Sequence, residues 1–219
     1  FLARYTLAST LNIDLNSVLG LYYYNSPEFN PYQLISYMFM HGGFSHIFFN
    51  MFALWMFGTQ IENLWGPKRF LNYYLITGFG AAFLHYLIIH FQISGLESYF
   101  TSNQISEIVN SGAFNPSSPL FSKARILYGL HHTPVVGASG AVFGLLLAYG
   151  MTYPNQIIYL NLLFPIKAKY FVIIYGLLEF FMGVQNGAGD NVAHFAHIGG
   201  MLFGFLLIKY WKKNDMNFY

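Results

Sequence analysis

Five apolar runs, residues 44–63, 69–91, 138–153, 168–185 and 193–211, dominate this chain. Each approaches the about 20 residues that a helix needs to cross hydrocarbon, so most of the molecule is committed to helices in a bilayer. Composition agrees: 55% of the residues are hydrophobic and only 8% are charged, too few ionic groups to coat a water-soluble globule of this size. The leading stretch FLARYTLASTL has no start methionine, no basic n-region and no small-residue cleavage site. It reads as the tail of a further span whose beginning is missing, not as a signal peptide. The expected fold is an all-α polytopic membrane protein, a six-helix bundle with the first helix truncated. No internal repeat or linker is visible, so residues 1–219 are read as a single domain.

Charge and cysteine usage exclude whole classes of function. The formal net charge is +2 and the basic residues are scattered, which argues against a nucleic-acid partner. The chain has no cysteine, which removes disulfides, thiolate metal sites, iron–sulfur clusters and a cysteine nucleophile together. Lys68, Arg69, Lys167, Lys169, Lys209, Lys212 and Lys213 lie in alternate connections, against Lys123 and Arg125 on the other side. The positive-inside rule then places the C-terminus in the cytoplasm. Two segments fall on the outer side. Residues 20–43 are rich in Tyr and Phe and suit a loop lying in the headgroups. Residues 92–134 form an extended, polar outer loop, with a short helix expected around SEIVNSG.

Polar side chains inside a span are costly, and function is the default reading of each. Three sets lie at a similar depth near the outer side. In HGGFSHIFFN, His46 and Asn50 are four apart and share one helix face, with His41 just before them. Ser139 opens the fourth apolar run, and His194 and His197 lie three apart near the outer end of the last. A serine alone is more often structural, bonding a carbonyl a turn back. A hydroxyl, an imidazole on another span, and a further His with an Asn at one level instead supply a nucleophile, a base and oxyanion donors. His197 is the candidate base for Ser139. The nearest acid considered is Asp190, which a loop holds in water, so a Ser–His pair is expected and not a triad. Phe143, one turn after Ser139, is expected to orient the imidazole. The backbone N–H of Ser139, at the start of a helix, points at an incoming oxyanion. Gly137 and Gly140 keep a substrate backbone within reach. Gly140 with Gly144, and Gly200 with Gly204, favour close helix packing. Glu179 is read as an inter-helix hydrogen bond of unassigned partner, and His85 and His90 as structural or interfacial.

The stretches HGGFSHIFFN, GASGAVFGLL and AHIGGMLFG, in this order and spacing, resemble the rhomboid intramembrane serine proteases, as do Glu62 and Gly66 of IENLWG. The resemblance implies a six-helix core whose site opens to the outer side, and cleavage of single-span membrane proteins near that face. It implies Ser139 as nucleophile, His197 as general base, and His46 and Asn50 as oxyanion-stabilising groups. His41 supports the entrance, and His194 has no chemical role of its own. Transmembrane protein substrates and the lipid bilayer are the implied partners, and the chemistry calls for no cofactor and no metal. There are departures. The Trp–Arg pair common in the family's first outer loop is missing, so that loop must be pinned differently, through its tyrosines. Phe143 stands where some members have a tyrosine, which keeps stacking and loses a hydroxyl.

Three rivals are weighed against this reading. GAGD at 187–190 satisfies the G-x-G-D pattern of intramembrane aspartyl proteases, but that chemistry needs two carboxyl groups at one site, and Asp14, Asp190 and Asp215 all lie outside apolar runs. A metal- or haem-binding protein could use His85, His90, His131, His132, His194 and His197 as ligands, yet has no need of a serine between glycines. A catalytically silent rhomboid-like chaperone typically loses the serine or the histidine, and both are present. Substrate identity and oligomeric state are not encoded in any motif.

Overall fold

The computed structural model describes residues 14–160, 163–185 and 193–214. The expected first span and the GAGD tetrapeptide lie outside the described residues. Two compact units are formed, residues 1–42 with 86–136, and residues 43–85 with 137–219.

In the first unit, α1 (Leu15–Leu19) and α2 (Gln33–Ser36), the latter running into a 3₁₀ turn at Tyr37–Phe39, organise the aromatic segment. Gln33 is fully buried because its amide serves four backbone groups. Nε2 donates to the carbonyls of Val18 and Glu28 at 3.1 and 3.0 Å, and Oε1 accepts from the N–H groups of Tyr22 and Asn30 at 3.4 and 3.1 Å. Tyr86 donates to the Tyr22 carbonyl, and the Tyr23 hydroxyl is hydrogen-bonded to His90 Nδ1 at 2.9 Å. The expected pinning by tyrosines is thus present, with Gln33 added at its centre. The segment read as an extended loop is largely helical. α5 (Pro67–Glu97) runs into it, followed by α6 (Ser102–Ser111) and α7 (Phe121–His132). α6 starts on a capping box between Thr101 and Gln104 and ends at Gly112 in the left-handed conformation, which is ordinary helix punctuation at both ends. α7, with no strong cap or periodicity in the sequence, was not anticipated.

The second unit carries α3 (Phe44–Ala53), a π turn at Leu54–Gly58, α4 (Thr59–Trp65), α8 (Ser139–Thr152), α9 (Ala168–Gln185) and α10 (His194–Asn214), with the first part of α5. The expected apolar runs therefore all form helices. α4 stops at Gly66, whose φ of 79° lets its N–H close on the Glu62 carbonyl at 2.8 Å, and Pro67 begins α5 at the position where a missing N–H costs nothing. α5 and α9 are long and apolar enough to cross a bilayer by themselves. α8 is apolar but 14 residues long, and α10 has 21. One element departs from the all-α expectation. β1 (Ile157–Leu160) and β2 (Phe164–Lys167) pair antiparallel, with Ile158 opposite Ile166. Both four-residue segments are too brief for a span and satisfy backbone groups by pairing with each other instead.

Burial is arranged around small residues. A Cβ on Gly200 would run into the Gly140 carbonyl, one on Gly144 would meet Thr77 at 2.7 Å, and one on Gly199 the Gly80 carbonyl at 2.8 Å. α5, α8 and α10 therefore touch backbone to backbone, as both glycine pairs led one to expect. Below this contact lies a cluster of Ile61, Trp65, Tyr73, Leu145, Ala148 and Ile208, and the buried Tyr73 hydroxyl donates to the Gly144 carbonyl at 2.8 Å. The outside is as apolar as the inside. Ile173, Ile174, Leu177, Leu178, Phe180, Phe181 and Val184 of α9 are exposed, as are Phe44, Phe48, Phe52 and Trp55. Such faces fit hydrocarbon, not water.

Candidate active site

Ser139 is delivered by the turn that precedes α8. Gly137 has a φ of +122°, and a Cβ there would stand 2.8 Å from both Cε1 and Nε2 of His46. Only glycine fits that conformation and that closeness, so the His46 ring rests against the backbone of the turn. Ala138 caps α8 without a side-chain bond, and the first helical bond runs from Val142 N to the Ala138 carbonyl at 3.0 Å. The N–H of Ser139 consequently has no intrahelical acceptor. A serine in this place commonly caps its own helix. This one turns its hydroxyl toward α10, where Ser139 Oγ and His197 Nε2 are 2.7 Å apart.

The glycine contacts bring the two groups to that distance. Gly140 adjoins Ser139, and a Cβ on it would meet Ala81 and lie 3.3 Å from the Ala196 carbonyl; Gly200, one turn beyond His197, abuts Gly140. Phe143, four residues after Ser139 and on the same face, stacks on the His197 imidazole with centroids 4.2 Å apart and planes 8° from parallel. The expected orienting contact is present.

The expectation that no carboxylate reaches His197 is corrected. Glu179 Oε2 accepts from His197 Nδ1 at 2.8 Å and from His194 Nδ1 at 2.6 Å. All three are buried, with exposures of 8% for Glu179, 5% for His194 and 8% for His197. Glu179 is not visible from the sequence around His197 because it lies on another helix, 18 residues away. Two signals pointed to it. It is an ionisable residue inside an apolar run, and six residues before the end of α9 it sits about 9 Å below that end, near the level of the first turn of the neighbouring α10. Within α9 it occupies the buried stripe of Ala168, Val172 and Gly183. Its partner, left open by the sequence, is the histidine pair, and His194 thereby acquires a contact with chemistry.

The remaining candidates fall around this centre or apart from it. Asn50, one turn below His46, is buried, and its Nδ2 donates to the His46 carbonyl at 2.8 Å. His41 is buried in the first unit, where its carbonyl accepts from Asn16. His90 bonds Tyr23, and His132 bridges Glu28 Oε1 at 2.8 Å and the Val109 carbonyl at 2.7 Å, so these two hold segments of the first unit together. Glu179, His194 and His197 present ligand atoms within 4.8 Å of one another, the spacing of a three-ligand metal site. Around a tetrahedral ion with bonds of about 2.0–2.1 Å, ligand atoms stand about 3.3–3.4 Å apart. The contacts of 2.6 and 2.8 Å are hydrogen-bond lengths.

Residues 28–213 match the family model for the Rhomboid domain. Among curated relatives, the chain is 31% identical over 179 residues to "RHOMBOID-like protein 4" of Arabidopsis thaliana, covering 80% of this chain and 33% of the relative. It is 28% identical over 176 residues to "Rhomboid protease GluP" of Bacillus subtilis, covering 80% and 25%. It is 28% identical over 174 residues to "Rhomboid protease AarA" of Providencia stuartii, covering 78% and 52%. The chain thus spans between a quarter and about half the length of these relatives. No solved structure matches significantly. A match over most of the residues, taking in the serine turn and both histidine helices, carries one conclusion: the chain belongs to the rhomboid family, whose members are integral membrane proteins.

Proposed function

We propose that this protein is an intramembrane serine endopeptidase that cleaves single-span membrane proteins near the outer face of the bilayer. The observation that carries the reading is the 2.7 Å contact between Ser139 Oγ and His197 Nε2 on two helices locked together by glycines. A serine hydroxyl is a poor nucleophile until a base within hydrogen-bond reach takes its proton. In the proposed cycle Ser139 attacks a substrate carbonyl while its proton passes to His197 Nε2. The oxyanion is held by the Ser139 N–H, His46 and the second N–H of Asn50, whose first is engaged with the His46 carbonyl. His197 returns the proton to the leaving amine, and water repeats the sequence on the acyl-enzyme.

A six-span arrangement with a cytoplasmic C-terminus is part of the proposal, supported by the apolar helices and the distribution of Lys and Arg. One family match running through both compact units supports treating them as a single domain. The test is fluorophosphonate labelling of the protein in detergent or liposomes. Labelling is expected for the wild type and lost in Ser139→Ala and His197→Ala, with cleavage of a single-span reporter following the same pattern. Asn50→Ala is expected to retain labelling but lower turnover by about 10²-fold. A wild type that neither labels nor cleaves would favour a silent relative.

A further inference from the structure

We propose that Glu179, supported by His194, is a positioning residue that fixes His197 as the Nδ1–H tautomer and compensates the positive charge this imidazole acquires when Ser139 is deprotonated. The inference deepens the hydrolase reading above and rests on it. It begins with the donor and acceptor inventory. An ionised carboxylate only accepts, and one oxygen of Glu179 faces the Nδ1 atoms of both His194 and His197. Both nitrogens must then carry protons. A neutral His197 protonated at Nδ1 has its lone pair on Nε2, the atom 2.7 Å from Ser139 Oγ. That is the arrangement of a base ready to take the serine proton. The opposite tautomer would aim an N–H at the hydroxyl and could accept nothing from it.

A carboxylate in the buried stripe of an apolar helix is retained at a cost unless its lone pairs are met. Helix packing alone would be served by one histidine. Here His194, one turn before His197 on the same face of α10, takes up the same oxygen and holds the Glu179 side chain in place. His197 is left with two tasks, one per ring nitrogen. Phe143 sets the plane of the imidazole, and Glu179 sets its rotation within that plane. In the acylation step the proton moves from Ser139 Oγ to His197 Nε2 as the bond from Oγ to the carbonyl carbon forms and the π pair passes to the oxyanion; the C–N bond then breaks as Nε2 gives that proton to the leaving amine. Glu179 keeps its charge throughout and takes no proton, so the imidazolium stands against a fixed anion in a site with little water to screen it.

The test combines turnover with a direct reading of the tautomer. Glu179→Gln keeps the volume and removes the charge, Glu179→Leu removes both acceptors, and Glu179→Asp restores the charge on a shorter stem. Expected kcat values fall in the order wild type, Asp, Gln, Leu, with Gln and Leu lower by about 10²-fold or more and KM nearly unchanged. His194→Ala is expected to lose about tenfold in kcat, again without a change in KM. Nitrogen NMR of histidine-labelled protein, with the His197 signals identified by their loss in His197→Gln, is expected to show Nδ1–H for His197 in the wild type and Nε2–H in Glu179→Leu. Wild-type kcat in Glu179→Gln, or a wild-type His197 protonated at Nε2, would overturn the proposal. So would stoichiometric zinc in the purified protein that disappears in Glu179→Gln. Nδ1–H signals in a wild type whose Ser139 never labels would support the positioning contact and take down the hydrolase reading alone.

Discussion

Three contacts of His197 each remove a different freedom from its ring. Phe143 stacks on the face at 4.2 Å, Ser139 Oγ lies at Nε2 and Glu179 Oε2 at Nδ1. An aromatic contact of this kind contributes about 0.5–1.5 kcal/mol, and about 1.4 kcal/mol is a tenfold change in rate. Phe143→Leu is therefore expected to lower kcat by up to about tenfold in a reporter-cleavage assay, while Phe143→Tyr leaves it within about twofold. Wild-type kcat in Phe143→Leu would mean that stacking is the wrong account. The two residues at this scale that sequence made legible, Ser139 and His197, stood out because each is a reactive group in an apolar run. Glu179 stood out equally, but its partners did not, because hydrogen bonds between helices leave no trace in local spacing.

Elements are held in place by contacts that a single methyl group can disturb. Gly200 lies against the Gly140 carbonyl, whereas nothing stands within 4 Å of a Cβ on Gly129 in α7. Gly200→Ala is expected to lower stability by about 1–3 kcal/mol through overpacking, and to slow labelling at Ser139 because α8 and α10 must part. Gly129→Ala is expected to be neutral or stabilising by up to about 1 kcal/mol, since Ala loses less freedom than Gly on entering a helix. Thermal unfolding in detergent checks both. In the first unit, α7 is tied to the segment before α2 by a different force. Burial alone would raise the Glu28 carboxyl, but hydrogen bonds from Ser26 and His132 outweigh it and hold the group below its ordinary range. A depressed carboxyl stabilises the fold above its ordinary titration range and stops doing so as pH falls through the lowered value. The unfolding midpoint should accordingly drop at pH values below the usual carboxylate range, and Glu28→Gln should remove part of that drop. An unchanged acid limb in the variant would assign the effect elsewhere.

For the whole molecule, orientation in the membrane is the property most open to direct measurement. The chain contains no cysteine, so single cysteines can be introduced into an empty background. With a cytoplasmic C-terminus, Ser117→Cys between α6 and α7 should react with a membrane-impermeant maleimide in intact cells. Asn155→Cys, next to the hairpin, should react only after permeabilisation. The reverse pattern would turn the proposed topology over and move the serine to the other face.

Residue order by itself determined that the chain makes apolar helices, about where they begin, and which hydroxyl and imidazole are reactive groups in apolar runs. These follow from local rules: the length of apolar runs, the exclusion of unpaired backbone from hydrocarbon, and the meaning of Gly and Pro at helix ends. Tertiary structure alone decided that Glu179 closes on His194 and His197, that Gln33 knots the aromatic segment, and that residues 121–132 are a helix. Each of those depends on which groups meet after packing, and a meeting across many residues is set by the summed fit of many weak contacts, none of which is written at the positions concerned.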